Sequence, residues 1–245
     1  MDLLIRTSAG AVAYSELDRN HVIERMRKTQ VILSDLDDTD ADSPAKEIAR
    51  THFQRGEKFD FEYVPWVLSS VILRARYGKK AETRIWRSYV EKFLQTSGQR
   101  AKAQLVYQTQ NLQKRCYPFA KGFYQSFPNA HKVYVTRNIE EIARTFARAL
   151  RIDDVIPEAW DKAKATEQFI LANPWFKRYL IKGDSEEDED VLKVAQYYKK
   201  QGSIDDVTGI WVTPTPEKPN RRFTIHIGRD YGGIVELLQA PIKRE

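Results

Sequence analysis

The stretch that decides the reading is residues 31–40, Val31-Ile-Leu-Ser-Asp35-Leu-Asp37-Asp38-Thr39-Asp40. Val31, Ile32 and Leu33 form a short apolar run, the signature of a strand buried on both faces of a parallel sheet. The run ends abruptly in carboxylates. In an open parallel sheet, ligands bind at the C-terminal ends of the strands. The stretch therefore predicts a strand that delivers Asp35 and Asp37 to a crevice.

Similar transitions recur downstream. His131-Lys-Val-Tyr-Val135 is a second apolar run, followed by Thr136, Arg137 and Asn138. Tyr179-Leu-Ile-Lys-Gly-Asp184 is a third, followed by Ser185 and Asp188. Between and after them lie amphipathic helices near 139–150, 163–173 and 190–200. Two further strands are expected around 209–214 and 222–228, with a closing helix over 231–239. Val155 and Ile156 make a short additional strand. Strands alternating with helices predict an α/β chain with a doubly wound, mostly parallel Rossmann-like sheet. Upstream, Leu3–Arg6 and Ala11–Tyr14 suggest a hairpin, and Glu16–Lys28 a helix. No role for residues 1–30 is readable.

Residues 43–116 differ in character. Pro44 and Pro65 open helices. Val67, Leu68, Val71, Ile72 and Ala75 keep helical spacing up to Gly78, and later stripes run through Ile85, Tyr89, Phe93 and Leu94, then Ala101, Leu105, Val106 and Leu112. Four such helices predict a small bundle inserted into the α/β chain, with Trp66, Trp86, Tyr89 and Tyr107 as core. The insertion holds 15 basic and 6 acidic residues, a surplus of nine, whereas the rest of the 245-residue chain sums to minus three and the whole to +6. Such a segment suits an anionic partner, with Arg74, Arg76, Arg84 and Arg87 as candidate contacts. A solvated set of helix faces explains the surplus equally well. Nucleic acid is a possible partner but not the favoured one, since no RNP, KH or zinc-finger pattern occurs.

Composition narrows the classes. Apolar residues are 42% and charged residues 30%, which fits neither a disordered nor a membrane chain. No uncharged apolar run reaches 18 residues, and the first residues do not read as a signal peptide. The single cysteine, Cys116, fits a reducing cytoplasm, and without a base motif beside it reads as a small buried or half-buried residue. Four histidines without paired spacing argue against a histidine metal site; His52, His131 and His226 read as structural or surface.

Converging carboxylates repel unless a hard cation binds them, and Mg²⁺ with oxygen ligands fits. A lysine and a hydroxyl can then hold phosphoryl oxygens while a carboxylate attacks phosphorus. The order Asp35-x-Asp37-x-Thr39, a strand-end Thr136, a lysine, and Gly183-Asp184 with Asp188 resembles the haloacid dehalogenase-like (HAD) phosphatase superfamily over about residues 31–200. The resemblance implies Asp35 as nucleophile and Mg²⁺ ligand. It implies Asp37 as general acid and base, contributing its main-chain carbonyl to the metal. Thr136 and Lys164 would bind phosphate, with Lys162 the competing lysine. Asp184 and Asp188 would hold the metal. Residues 1–42 and 117–245 would form the core, and 43–116 a helical cap of the first kind, closing over a small phosphorylated metabolite. The superfamily's first motif commonly continues with Gly, Thr and an apolar residue, where this chain has Asp38, Thr39 and Asp40. The acidic run Glu186–Asp190 reads as an exposed helix N-terminus.

The expected activity is that of a Mg²⁺-dependent phosphomonoesterase. A phosphomutase or phosphotransferase shares every motif. A receiver-type signalling module does not fit the motif order. A catalytically idle nucleic-acid binder would keep a salt-dependent affinity after Asp35→Asn.

Overall fold

The computed structural model describes residues 3–7, 10–14, 19–42, 116–213, 220 and 222–239, together with scattered helical positions in 43–115 (69, 71–73, 75–77, 85, 88, 109–111) and a 3₁₀ turn at Gln113–Arg115. The chain divides into two compact units, Met1–Asp42 with Cys116–Glu245, and Ser43–Arg115. Cys116 thus lies with the first unit, where it pairs by a β-bridge with Ala41.

Among the described residues the first unit forms one eight-stranded sheet. Its strands are β1 (Leu3–Thr7), β2 (Gly10–Tyr14), β3 (Val31–Ser34), β4 (His131–Val135), β5 (Asp154–Ile156), β6 (Arg178–Gly183), β7 (Asp206–Val212) and β8 (Ile225–Ile227), in the order β1-β2-β8-β7-β6-β3-β4-β5. Six strands, β8 to β5, are all parallel. The helices are α1 (Arg19–Arg27), α2 (Ala120–Gln125), α3 (Glu140–Leu150), α4 (Lys162–Ala172), α5 (Glu186–Lys200) and α6 (Gly232–Gln239). The chain runs from β3 outward to β5, then crosses back to β6 on the other side of β3. This reversal is the switch point at which such sheets bind ligands.

Alternation along the strands divides the core. Val31 and Leu33 cluster with Val133, Val135 and Ile181, and with Ile170, Val191, Leu192 and Ala195 from α4 and α5. The opposite face carries Ile32, Ser34, Tyr134 and Lys182. Against it lie Phe123 and Tyr124 of α2 and Tyr231 at the start of α6.

The N-terminal hairpin forms as expected and extends the sheet, β2 pairing antiparallel with β8. Helix α1 buries Val22, Ile23 and Met26. Its Arg25 makes a bidentate pair with Asp206, Nε and Nη2 each 2.7 Å from a carboxylate oxygen. The described residues of 3–30 thus pack as part of the first unit.

In the insertion, described positions within 69–77 and 109–111 are helical. Val71 and Ile72, which the spacing places on a buried stripe, are instead 61% and 60% exposed. Positions 85 and 88 of the third predicted helix are helical too; the remaining predicted helical residues, with Trp66, Trp86, Tyr89, Tyr107, Arg74, Arg84, Arg87 and His52, lie outside the described residues. Among the described residues, no helix is long and apolar enough to cross a membrane.

Candidate active site

Three neighbouring strands end in candidate site residues. Asp35, Thr136 and Asp184 are each the first residue after β3, β4 and β6, and those strands are paired in parallel and adjacent. In the sheet register Asp35 is level with Val135 and Gly183, so Thr136 and Asp184 lie one position further along at the same end of the sheet. Carboxylate oxygens of Asp35, Asp184 and Asp188 all lie within 4.8 Å of one another.

Asp35 is buried, at 6% exposure. Its backbone N–H donates to the Lys182 carbonyl (3.0 Å) and its Oδ1 accepts from Leu36 N (2.8 Å). Its other oxygen, Oδ2, is 2.8 Å from Lys162 Nζ, which is also 2.8 Å from Asp188 Oδ1. Burial pushes the Asp35 carboxyl well up, and the Lys162 ammonium opposes that shift. Burial alone would lower Lys162, but the charges of Asp188 and Asp35 outweigh it and hold its pKa up. The lysine is thus a fixed cation against the carboxylate.

Of the two candidate lysines, Lys162 and not Lys164 lies beside Asp35. Asp161 caps α4, its side chain accepting from Lys164 N at 2.9 Å, so the helix begins at Lys162, one residue earlier than its spacing suggests. Two residues on, the helix has turned by about 200°. Lys164 consequently faces away and is exposed, while Lys162 is buried at 3% exposure. The signal was present in the sequence: an Asp three residues before Lys164 is an N-cap.

Asp188 does two jobs. Its Oδ1 meets Lys162, and its Oδ2 accepts from Asp184 N (3.0 Å), Ser185 N (3.0 Å) and Ser185 Oγ (2.7 Å), forming a capping box. It folds over Gly183 so closely that a Cβ there would lie 2.2 Å from Asp188 Cγ. Glycine is required at that position by approach rather than by a positive φ.

Asp37 is half-buried. Its Oδ2 accepts from Asn138 Nδ2 at 2.9 Å, and the same amide reaches Thr136 Oγ1 at 3.3 Å. Its Oδ1 is buried without a hydrogen-bond partner. Desolvation pushes the carboxyl up, partly offset by the Asn138 bond. Thr39 Oγ1 donates to Asp184 Oδ1 at 3.3 Å, tying the first loop to the third. Asp38, where the resembled pattern has glycine, takes φ 55°. Aspartate tolerates this left-handed region better than most residues, so the loop keeps its turn.

Sequence reasoning saw Asn138 and Arg137 as strand-end residues without assigning them roles. Arg137 pairs with Glu187 at 2.5 Å, and Glu189 pairs with Asn220 (2.6 Å) and Arg222. The acidic run is therefore largely engaged in contacts, with only Glu186 and Asp190 exposed. Arg229, from the loop after β8, reaches Asp38 (3.4 Å) and Asp42 (3.3 Å); its place in sequence gave no sign of this. His131 stacks against Phe169 and Phe176, and His226 Nε2 is 2.8 Å from the Asn220 carbonyl, both structural. Cys116 is half-buried, and burial pushes its thiol up to about 12.

The parallel sheet with its flanking helices has the haloacid dehalogenase-like fold. The chain is similar over 89% of its length to 88% of cytosolic 5'-nucleotidase IIIB bound to cytidine, with 10% identity and a TM-score of 0.56. It is similar over 86% of its length to 99% of the HAD-hydrolase YfnB of Bacillus subtilis bound to magnesium, with 13% identity and a TM-score of 0.51. No protein-family description and no curated protein sequence matches the chain.

Proposed function

We propose that this protein is a phosphomonoesterase that works through a phospho-aspartate on Asp35. The observation that carries this reading is the 2.8 Å contact between Asp35 Oδ2 and the buried Lys162 ammonium, beside a half-buried second carboxyl on the same loop.

The Asp35 carboxylate attacks phosphorus and the ester P–O bond breaks. Asp37 donates a proton to the leaving oxygen. Water then attacks the acyl phosphate, Asp37 takes its proton, and phosphate leaves with Asp35 restored. Lys162 and Thr136 hold phosphoryl oxygens as charge develops. Asn138 orients Asp37. Asp35, Asp184 and Asp188 offer the hard oxygen donors that Mg²⁺ takes, and the Asp37 carbonyl is assigned to the same set by resemblance. Bound there, the ion would neutralise charge on the phosphoryl group. The YfnB structure is described as bound to magnesium, which supports this choice of ion.

The insertion, residues 43–115, is proposed as the cap that selects a small phosphorylated metabolite, its surplus of positive charge suiting an anionic substrate. The likeness to a nucleotidase adds nucleotide monophosphates to the panel worth testing.

The test is hydrolysis of p-nitrophenyl phosphate and of a phosphorylated-metabolite panel, with Mg²⁺ or EDTA, by wild type and Asp35→Asn. Turnover that needs both Mg²⁺ and Asp35 is expected. No turnover on any substrate, with no Mg²⁺ binding by calorimetry, overturns the reading.

A further inference from the structure

Beneath the loop lies a set of buried polar groups that the reaction above does not use. Ser34, Tyr134 and Lys182 occupy one rung of the sheet, Ser34 pairing in register with Tyr134 on one side and Lys182 on the other. All three point to the same face. Lys182 is 1% exposed and Asp40 0%. They form an ion pair. The other Asp40 oxygen accepts from the hydroxyls of Tyr134, at 2.9 Å, and Tyr124. The Lys182 ammonium also sits 4.4 to 4.9 Å from the ring centres of Tyr124, Tyr231 and Phe123, close enough for cation–π attraction.

Burying two full charges is costly, and an apolar pair of similar volume usually serves stability as well. What the pair does here is visible in its connections. Lys182 grips both ends of the loop: its carbonyl accepts from Asp35 N at 3.0 Å, and its ammonium holds the Asp40 side chain. Asp40 N in turn donates to the Leu36 carbonyl at 3.0 Å. Tyr231 accepts from Lys182 Nζ (3.1 Å) and donates to the Thr39 carbonyl (2.5 Å). Ser34 Oγ donates to the Asp35 carbonyl at 2.7 Å.

We propose that the buried Asp40–Lys182 pair, with Tyr231, is a positioning device that fixes the Asp35–Thr39 loop in the shape its chemistry requires. None of the three touches the reacting atoms. They act through the backbone on which Asp35, Asp37 and Thr39 are carried. This rests on the reading of Asp35 as nucleophile for its kinetic consequence, but not for its structural one.

The decisive variant is the double substitution Asp40→Leu with Lys182→Met, which removes both charges together. Three readouts are taken: the melting temperature, steady-state kinetics on p-nitrophenyl phosphate with Mg²⁺, and amide hydrogen exchange at residues 36–41. The expected result is a folded protein melting within a few degrees of wild type. Its kcat falls at least about tenfold while KM moves less than about threefold, because misplacement of a reacting group is costly. Exchange of the loop amides accelerates at least about tenfold. A folded double variant with unchanged exchange and kcat within about twofold of wild type overturns the proposal. If the double variant does not fold, Tyr231→Phe decides, since it deletes one hydroxyl only. Faster exchange at Thr39 and Asp40 supports the device, and unchanged exchange overturns it. If wild type itself proves inactive on every substrate, the function fails separately and the exchange measurement still decides this inference.

Discussion

The ammonium of Lys162 lies 2.8 Å from Oδ2 of Asp35, with both side chains almost fully buried. In a low-dielectric site a fixed cation beside a carboxylate stabilises charge far more than it would in water. The Lys162→Met variant is expected to lose at least about 100-fold in kcat/KM. Lys164→Met, on the outer face of the same helix, is expected to stay within about twofold. Steady-state kinetics of the two variants side by side checks this.

Gly183→Ala tests the packing beneath the proposed metal ligands. The new methyl would meet Asp188 at 2.2 Å, and Asp188 is held by Lys162 and by the cap of α5. The variant is expected to lose about 1–3 kcal/mol of stability and to bind Mg²⁺ more weakly. Thermal melts and calorimetric titration with Mg²⁺ read the two effects.

Asn138 bridges Thr136 and Asp37. Replacing it with alanine frees Asp37 to turn while leaving Lys162 and Asp35 in place. The expected outcome is a kcat lowered about tenfold with little change in KM, the pattern of an interaction that matters chiefly in the transition state. A raised KM at unchanged kcat would place Asn138 in binding instead.

The buried tyrosines set an alkaline limit. Burial, reinforced by the Asp40 charge, raises Tyr124, Tyr134 and Tyr231 well above their usual 10. Folded pKa values above the unfolded ones mean a contribution that is complete below pH 10 and lost as pH rises beyond it, because the unfolded chain then releases protons the folded chain retains. The tyrosine contribution is therefore expected to be level across neutral pH and to fall above about 10. Tyrosinate absorbance from these three residues should emerge only with unfolding. Titration followed jointly by ultraviolet absorbance and circular dichroism checks the coincidence.

Much of this architecture was legible in the chain. The apolar runs at 31–33, 132–135 and 179–181 are strands, because a strand buried on both faces admits little else. The carboxylates and the threonine after them stand at the strand ends, because a parallel sheet delivers them there. What the sequence hid were relationships fixed by helix phase and tertiary contact. The choice between Lys162 and Lys164 turned on where α4 starts, which its Asp161 cap decides. Lys182 reads as a strand residue of ordinary polarity, and only the register beside Ser34 and the burial of Asp40 reveal its partner. Val71 and Ile72 keep apolar spacing yet are exposed, since periodicity marks a face without stating what covers it.

The central claim is a covalent phosphate on Asp35, and chemical trapping tests it most directly. Borohydride reduces an acyl phosphate, so quenching the working enzyme with it converts a phosphorylated aspartate to homoserine. The account predicts homoserine at position 35 in the digested protein, formed only when substrate and Mg²⁺ are present and absent from Asp37. Undiminished turnover with no homoserine at position 35 would mean that water attacks the substrate directly, and would contradict it.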